Sequence, residues 1–223
     1  DEWITARTGI KERRILKDKD KGTSFLAIEA AKDLLKKNNT DPKDIDMVIM
    51  ATATPDMPVA VTGAYVATQI GADNAFSYDL MAACSSFLFG MSIAAKYIES
   101  GSYKKVLLVG ADKMSSVIDY TDRTTCIIFG DGAGAVLFEP NFEGLGVQDE
   151  YLRSDGNGRH SLKIDAGGSL IPSSIETVTN NQHVVFQDGK TVFKFAVTRM
   201  ADVSEKILKR NNLTGNDIQW LVP

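Results

Sequence analysis

The sequence predicts an α/β protein in which helices cover a mixed sheet, built from two related halves. Two observations carry this. Helical and strand-like hydrophobic periods alternate along the chain. One helix–turn–strand segment also occurs twice: Lys36 to Ile49 (KKNNTDPKDIDMVI) aligns with Lys209 to Val222 (KRNNLTGNDIQWLV) at an offset of 173 in every pair. The shared Asn-Asn and Asp-Ile at one offset point to a duplicated α/β unit.

Each element has its own signal. Ser24 to Asn38 places Leu26, Ala27, Ala30, Ala31, Leu34 and Leu35 on one helical face and Glu29, Lys32, Asp33 and Lys36 on the other. Met47 to Thr54 is nearly all apolar, the mark of a strand buried on both faces. Val59 to Ile70 is helical and is stopped by Gly71. Ala75 to Leu80 is expected as a strand and Ser85 to Glu99 as a helix. Val106 to Gly110 is a second buried strand, with further strands expected over 134–139 and 146–152. Ser154 to Lys190, rich in Gly, Ser, Asn and Asp, is expected as loops. Thr191 to Asn212 is the counterpart of the first helix and leads into a strand ending at Val222. Residues 1–153 then form the first half, 154–190 the connection, and 191–223 the start of the second half.

Composition excludes several functions. A net charge of −4 and no clustering of Lys and Arg argue against nucleic acid. No apolar run reaches the ~18 residues of a membrane span, and no signal peptide opens the chain. Two cysteines, 84 and 126, make neither a disulfide framework nor a zinc spacing, so a reducing cytoplasm is expected.

Cys84 is the leading chemical candidate. It lies where the run Ala75 to Leu80 turns into the helix from Ser85, so its thiol meets the positive end of a helix dipole, which favours the nucleophilic thiolate. Small neighbours (Ala82, Ala83, Ser85, Ser86) leave room for a substrate. Buried space-filling is the competing reading. Cys126, in the apolar run Thr124 to Phe129, is read as packing. His160 and His183 are read as surface loop residues. Gly130-Asp131-Gly132-Ala133-Gly134 leads into a strand and lacks the phosphate-loop pattern. These glycines are read as a tight turn with close backbone packing. Asp122 and Asp131 show no metal-ligand spacing, so no metal is expected. Trp3, Arg7 and Arg123 together suit an adenine nucleotide with phosphates.

These residues converge on a family. Asp1-Glu2-Trp3-Ile4, Arg7-Thr8-Gly9-Ile10, Ala82-Ala83-Cys84, Thr121-Asp122-Arg123, Ile127 to Ala135, Val192-Phe193-Lys194 and Trp220 to Pro223 resemble, in order and end to end, β-ketoacyl-acyl-carrier-protein synthase III. The resemblance implies the thiolase fold, two similar βαβαβ halves, in a homodimer. It makes Cys84 the nucleophile that takes an acyl group from acetyl-CoA or another acyl-CoA. Malonyl-acyl-carrier protein is the partner in a decarboxylative condensation. Trp3 and Arg123 would hold the CoA adenine and Arg7 its phosphates. Ile128, Gly189 and Phe193 would wall the pantetheine tunnel, Met57 and Phe129 the acyl pocket, and Lys194 would help dock the carrier protein. Acyl-CoA is a substrate, so no resident cofactor is implied. The family's opening strand would precede Asp1, and its histidine, asparagine and late Gly-rich loop would follow Pro223. The 223 residues by themselves are therefore expected not to complete the condensation. The alternatives are another thiolase-fold synthase (hydroxymethylglutaryl-CoA, quinolone or polyketide starter type) or an inert dimerising or carrier-binding module. A thiol-redox role comes third.

Overall fold

The computed structural model describes residues 2–222. The Asp1 and Pro223 ends of two quoted motifs lie outside them. The chain forms two compact units. One comprises Asp1–Ser116 with Ile128–Val147, the other Val117–Ile127 with Gln148–Pro223.

The first unit is built on a four-stranded sheet: β1 (Met47–Ala51), β2 (Phe76–Leu80), β3 (Val106–Lys113) and β4 (Asp131–Phe138), in the order β2-β1-β3-β4. β1 runs parallel to β2 and β3, and β4 is antiparallel to β3, so the sheet is mixed as expected. All five residues of β1 are buried. Side chains alternate between faces with period two. Val48, Met50, Leu107 and Val109 face α2 (Thr23–Lys37) and α3 (Thr62–Ile70) through Ala27, Ala31, Leu35, Val66 and Ile70. Met47, Ile49, Val106 and Leu108 face α4 (Ser86–Glu99) through Phe87, Met91, Ala94 and Tyr97. Burying each such Val, Ile, Leu or Met side chain contributes roughly 1.5–3 kcal/mol. Gly90 lets α4 lie close to the sheet, because a Cβ there would come within 2.5 Å of the fully buried Leu108. A short helix, α1 (Glu2–Thr8), precedes the core elements.

Most expected elements form near their expected bounds. α3 starts three residues later than Val59, because residues 52–61 form a loop in which Val59 takes a left-handed backbone (φ 73°) and is fully exposed. Its C-terminus follows the expectation, with Gly71 at φ 83° in the left-handed cap position. The glycines after Gly130 form no tight turn. Gly132 and Gly134 lie inside β4 opposite Asp112 and Gly110, and a Cβ on either would meet open space. Of these three glycines, Gly130 alone has close neighbours.

The second unit holds α5 (Ile175–Thr179), α6 (Gly189–Arg210), and a two-stranded antiparallel sheet of β5 (Leu162–Ile164) and β6 (Val185–Gln187). α5 and the small sheet fall within the stretch expected as loops. The strand expected over 146–152 does not form. Asp149 instead accepts hydrogen bonds from Arg210 Nε at 2.7 Å and Asn211 Nδ2 at 2.6 Å, and side-chain bonds replace a backbone ladder. The strand expected to end at Val222 is absent too. Trp220, Leu221 and Val222 are exposed and have no ladder partner among the described residues.

The sequence repeat is also a repeat of backbone geometry. Asn38 and Asn211 cap α2 and α6, and the asparagines that follow, Asn39 and Asn212, are both left-handed at φ 50° and 56°. A single 3₁₀ turn comes next in each copy, Pro42–Asp44 and Gly215–Asp217.

Candidate active site

The C-terminal ends of parallel strands are where open α/β sheets place ligands, and Cys84 follows the end of β2. It sits in a 3₁₀ turn, Ala83–Ser85, that runs directly into the fourteen-residue α4. Its side chain is exposed, which removes the space-filling reading. The turn is sharp: Ala83 is left-handed at φ 48°, a conformation L-residues with a Cβ adopt at a cost. Ser86 locks it, accepting from the Ala82 N–H at 2.7 Å and donating to the Ala83 carbonyl at 2.8 Å.

Three aspartates hold the strand ends on the side of the sheet where β2 leads into Cys84. On β2, Asp79 accepts from the first two amides of α3, Thr62 at 2.8 Å and Gly63 at 2.7 Å. At the end of β3, Asp112 accepts from the Ala53 and Thr54 amides at 2.8 and 3.1 Å, fixing the loop that carries Met57. Asp131, opposite Lys113 at the start of β4, ties the segment around Leu16 to Ser115. Sequence reasoning weighed only Asp131 among these, as a metal ligand. Their partners lie far away along the chain, so no local motif announces them.

The other expected residues of the first unit take these places. Trp3 is 62% exposed in α1, and the Arg7 guanidinium lies over its ring at 5.2 Å, one helical turn on. Met57 is exposed in the loop between β1 and α3. Ile128 and Phe129 lead into β4, followed by Gly130, where a Cβ would come within 3.3 Å of the Arg14 carbonyl oxygen.

In the second unit Gly189, Phe193 and Lys194 share the first two turns of α6. Asp188 caps that helix, accepting from the Thr191 amide at 3.2 Å and its hydroxyl at 2.7 Å. Phe193 is 70% exposed. Arg123 is exposed in a turn organised by Asp122, which accepts from the Thr124 amide at 2.8 Å. The Thr124 hydroxyl bond, then that amide, lowers the carboxyl pKa of Asp122. Cys126 is half-buried. His160 is exposed at the end of a 3₁₀ turn, while the His183 Nε2 lies 2.9 Å from the Thr177 hydroxyl. Among the described residues, no helix is long and apolar enough to cross a membrane.

Comparison with known proteins places the chain in a family. The family profile described as 3-Oxoacyl-[acyl-carrier-protein (ACP)] synthase III matches residues 78–156, which include Cys84 and β4. The chain is 55% identical over 225 residues to the beta-ketoacyl-[acyl-carrier-protein] synthase III of Chlorobium chlorochromatii (strain CaD3), covering all of this chain and 68% of that one. The Chlorobaculum tepidum protein of the same name is 56% identical with the same coverage. Among solved structures, the 3-oxoacyl-[acyl-carrier-protein] synthase III of Aquifex aeolicus VF5 superimposes with a TM-score of 0.87 at 34% identity, over 98% of this chain and 65% of that one. The Thermus thermophilus synthase III gives 0.86 at 37%, over 98% and 66%.

The fold and the relatives define a thiolase-type condensing enzyme, an acyltransferase of fatty acid synthesis. The chain belongs to the β-ketoacyl-acyl-carrier-protein synthase III family.

Proposed function

We propose that Cys84 is the acyl-accepting nucleophile of an acyl-CoA-primed synthase. The observation that carries this is its place: an exposed thiol, on a strained turn, between the end of β2 and the start of α4. Its sulfur attacks the thioester carbonyl of acetyl-CoA or a related primer. A new C–S bond forms to Cys84, the C–S bond to CoA breaks, and the thiol proton leaves on free CoA. In the second half-reaction malonyl-acyl-carrier protein loses CO₂. The electron pair left on carbon attacks the acyl carbon, and the Cys84 thiolate departs from a 3-oxoacyl-carrier protein.

The remaining roles belong to the same proposal. Trp3 and Arg123 hold the adenine, Arg7 the phosphates, Ile128, Gly189 and Phe193 the pantetheine arm, and Met57 and Phe129 the acyl group. Lys194 meets the acidic carrier protein. A homodimer is supported by the open edge of β2 and the exposed apolar side chains near it, Tyr65, Phe76 and Met81. Free thiols at both cysteines support a cytoplasmic setting. A second reading follows from a structural neighbour, the priming β-ketosynthase of the R1128 polyketide pathway, with a TM-score of 0.83 at 33% identity. It keeps the Cys84 chemistry and changes the carrier protein.

The test is incubation of the full chain with acetyl-CoA, then peptide mass spectrometry. An acetyl increment is expected on the peptide containing Cys84 and none in Cys84→Ser. A folded protein with no increment overturns the proposal in favour of an inert, dimerising or carrier-binding module.

A further inference from the structure

We infer that Asp131 is a positioning residue for the nucleotide end of the substrate: it holds the N-terminal arm that carries Trp3 and Arg7 against the start of β4. The inference rests on the acyl-CoA reading above.

The geometry is specific. Asp131 Oδ2 accepts from the Leu16 amide at 2.8 Å and from the Ser115 hydroxyl at 2.7 Å, and Oδ1 accepts from the Ser115 amide at 2.8 Å. Its own N–H donates to the Arg14 carbonyl at 2.8 Å. One residue earlier, Gly130 leaves room for the arm to lie directly on the strand entrance. A Cβ there would come within 3.3 Å of the Arg14 carbonyl and 3.5 Å of the Arg13 Cβ. The arm is thus pinned on both sides of Ile15, through the Arg14 carbonyl and the Leu16 amide. From there the chain runs back through Ile10, whose amide donates to the Thr8 hydroxyl at 3.1 Å, into α1 with its Trp3–Arg7 pair.

This device belongs to binding rather than to the reacting carbonyl. β4 and β2 are opposite edges of the sheet, three strand spacings apart. At ~4.8 Å per spacing, Asp131 lies about 14 Å across the sheet from the strand that delivers Cys84. A loosened arm would misplace the groups for adenine and phosphate and leave the thiol where it is. Asparagine keeps the volume of Asp131 but only one acceptor oxygen, so either the Ser115 amide or the Leu16 amide with the Ser115 hydroxyl loses its acceptor.

The experiment compares two acyl donors on the full chain, acetyl-CoA and acetyl-N-acetylcysteamine, which has no nucleotide. Acetylation of Cys84 is followed over time and over donor concentration. Asp131→Asn is expected to lose about tenfold or more in efficiency with acetyl-CoA, through a raised half-saturation concentration, and to stay within about twofold of the parent with the short donor. Ser115→Ala removes a single donor, keeps the carboxylate, and is expected to show the same donor-selective loss to a smaller extent. It decides the question if Asp131→Asn does not fold. Equal losses with both donors, or no loss with either, overturn the inference alone. A parent chain that neither donor acetylates overturns the acyl-CoA reading and this inference with it.

Discussion

Asp79 accepts the Thr62 amide at 2.8 Å, so the strand that delivers Cys84 also caps the helix on the other side of the sheet edge. The second oxygen takes the Gly63 amide at 2.7 Å. α3 has no side-chain cap of its own at Val61, and the distant carboxylate does that work. Asp79→Ala leaves two helix-start amides without this partner and is expected to cost about 1–2 kcal/mol in urea unfolding. Because Asp79 stands five residues before Cys84, acetylation of the folded variant is expected to slow as well. Asp79→Asn, which keeps one acceptor oxygen, should fall between the two.

Ala83 precedes the thiol with φ at 48°, where a β-branched side chain is a steric outlier. Ala83→Val is expected to cost about 1–3 kcal/mol and to reduce Cys84 acetylation, while Ala83→Gly keeps both. Thermal unfolding and timed acetylation measure the pair. Equal behaviour of the Val and Gly variants would mean that this backbone geometry does not matter to the thiol.

Met57, proposed in the acyl pocket, is a flexible side chain on an exposed loop. The parent is expected to accept acetyl-, isobutyryl- and hexanoyl-CoA as donors to Cys84. Met57→Phe should shift that preference towards acetyl by about tenfold, the scale of one apolar pocket contact. Strict acetyl preference in the parent would remove Met57 as a determinant of primer length.

Arg210 holds the carboxyl of Asp149 down to about 2, through its hydrogen bonds first and those of Asn211 second. The folded pKa lies below the unfolded one, so the stabilisation is complete above the ordinary aspartate range, about 4, and is lost as pH falls through about 2. Arg210→Gln is expected to be less stable than the parent at neutral pH, with the gap closing between those two values. Both side chains have solvent access, so the gap is small and shrinks in salt. Urea midpoints of the two proteins across that pH range measure it.

Much of the fold was legible because it is written in local periodicity. The five apolar residues of β1 have no solvent-facing position, which only a doubly covered strand satisfies. The repeat was legible for a similar reason: Asn39 and Asn212 occupy a left-handed position that asparagine tolerates, so the same letter recurs where the same backbone does. Elements whose state depends on remote partners were not legible. Residues 146–152 carry strand-like letters, but Asp149 within them is held by side chains of Arg210 and Asn211 at the end of α6. Val59 has helical letters and lies in a loop tied down at Asp112, so α3 begins only where Asp79 can cap it.

By itself the sequence determined the α/β alternation, the duplicated unit, the family, and a cysteine at the start of a helix. Each follows from neighbours within a few residues or from motifs in fixed order. Only the tertiary structure decided what holds the strand ends, the turn before α3 and the N-terminal arm in place. Asp79, Asp112 and Asp131 find their partners between 16 and 115 residues away, and hydrogen bonds over such separations exist only once the sheet has set its strands side by side.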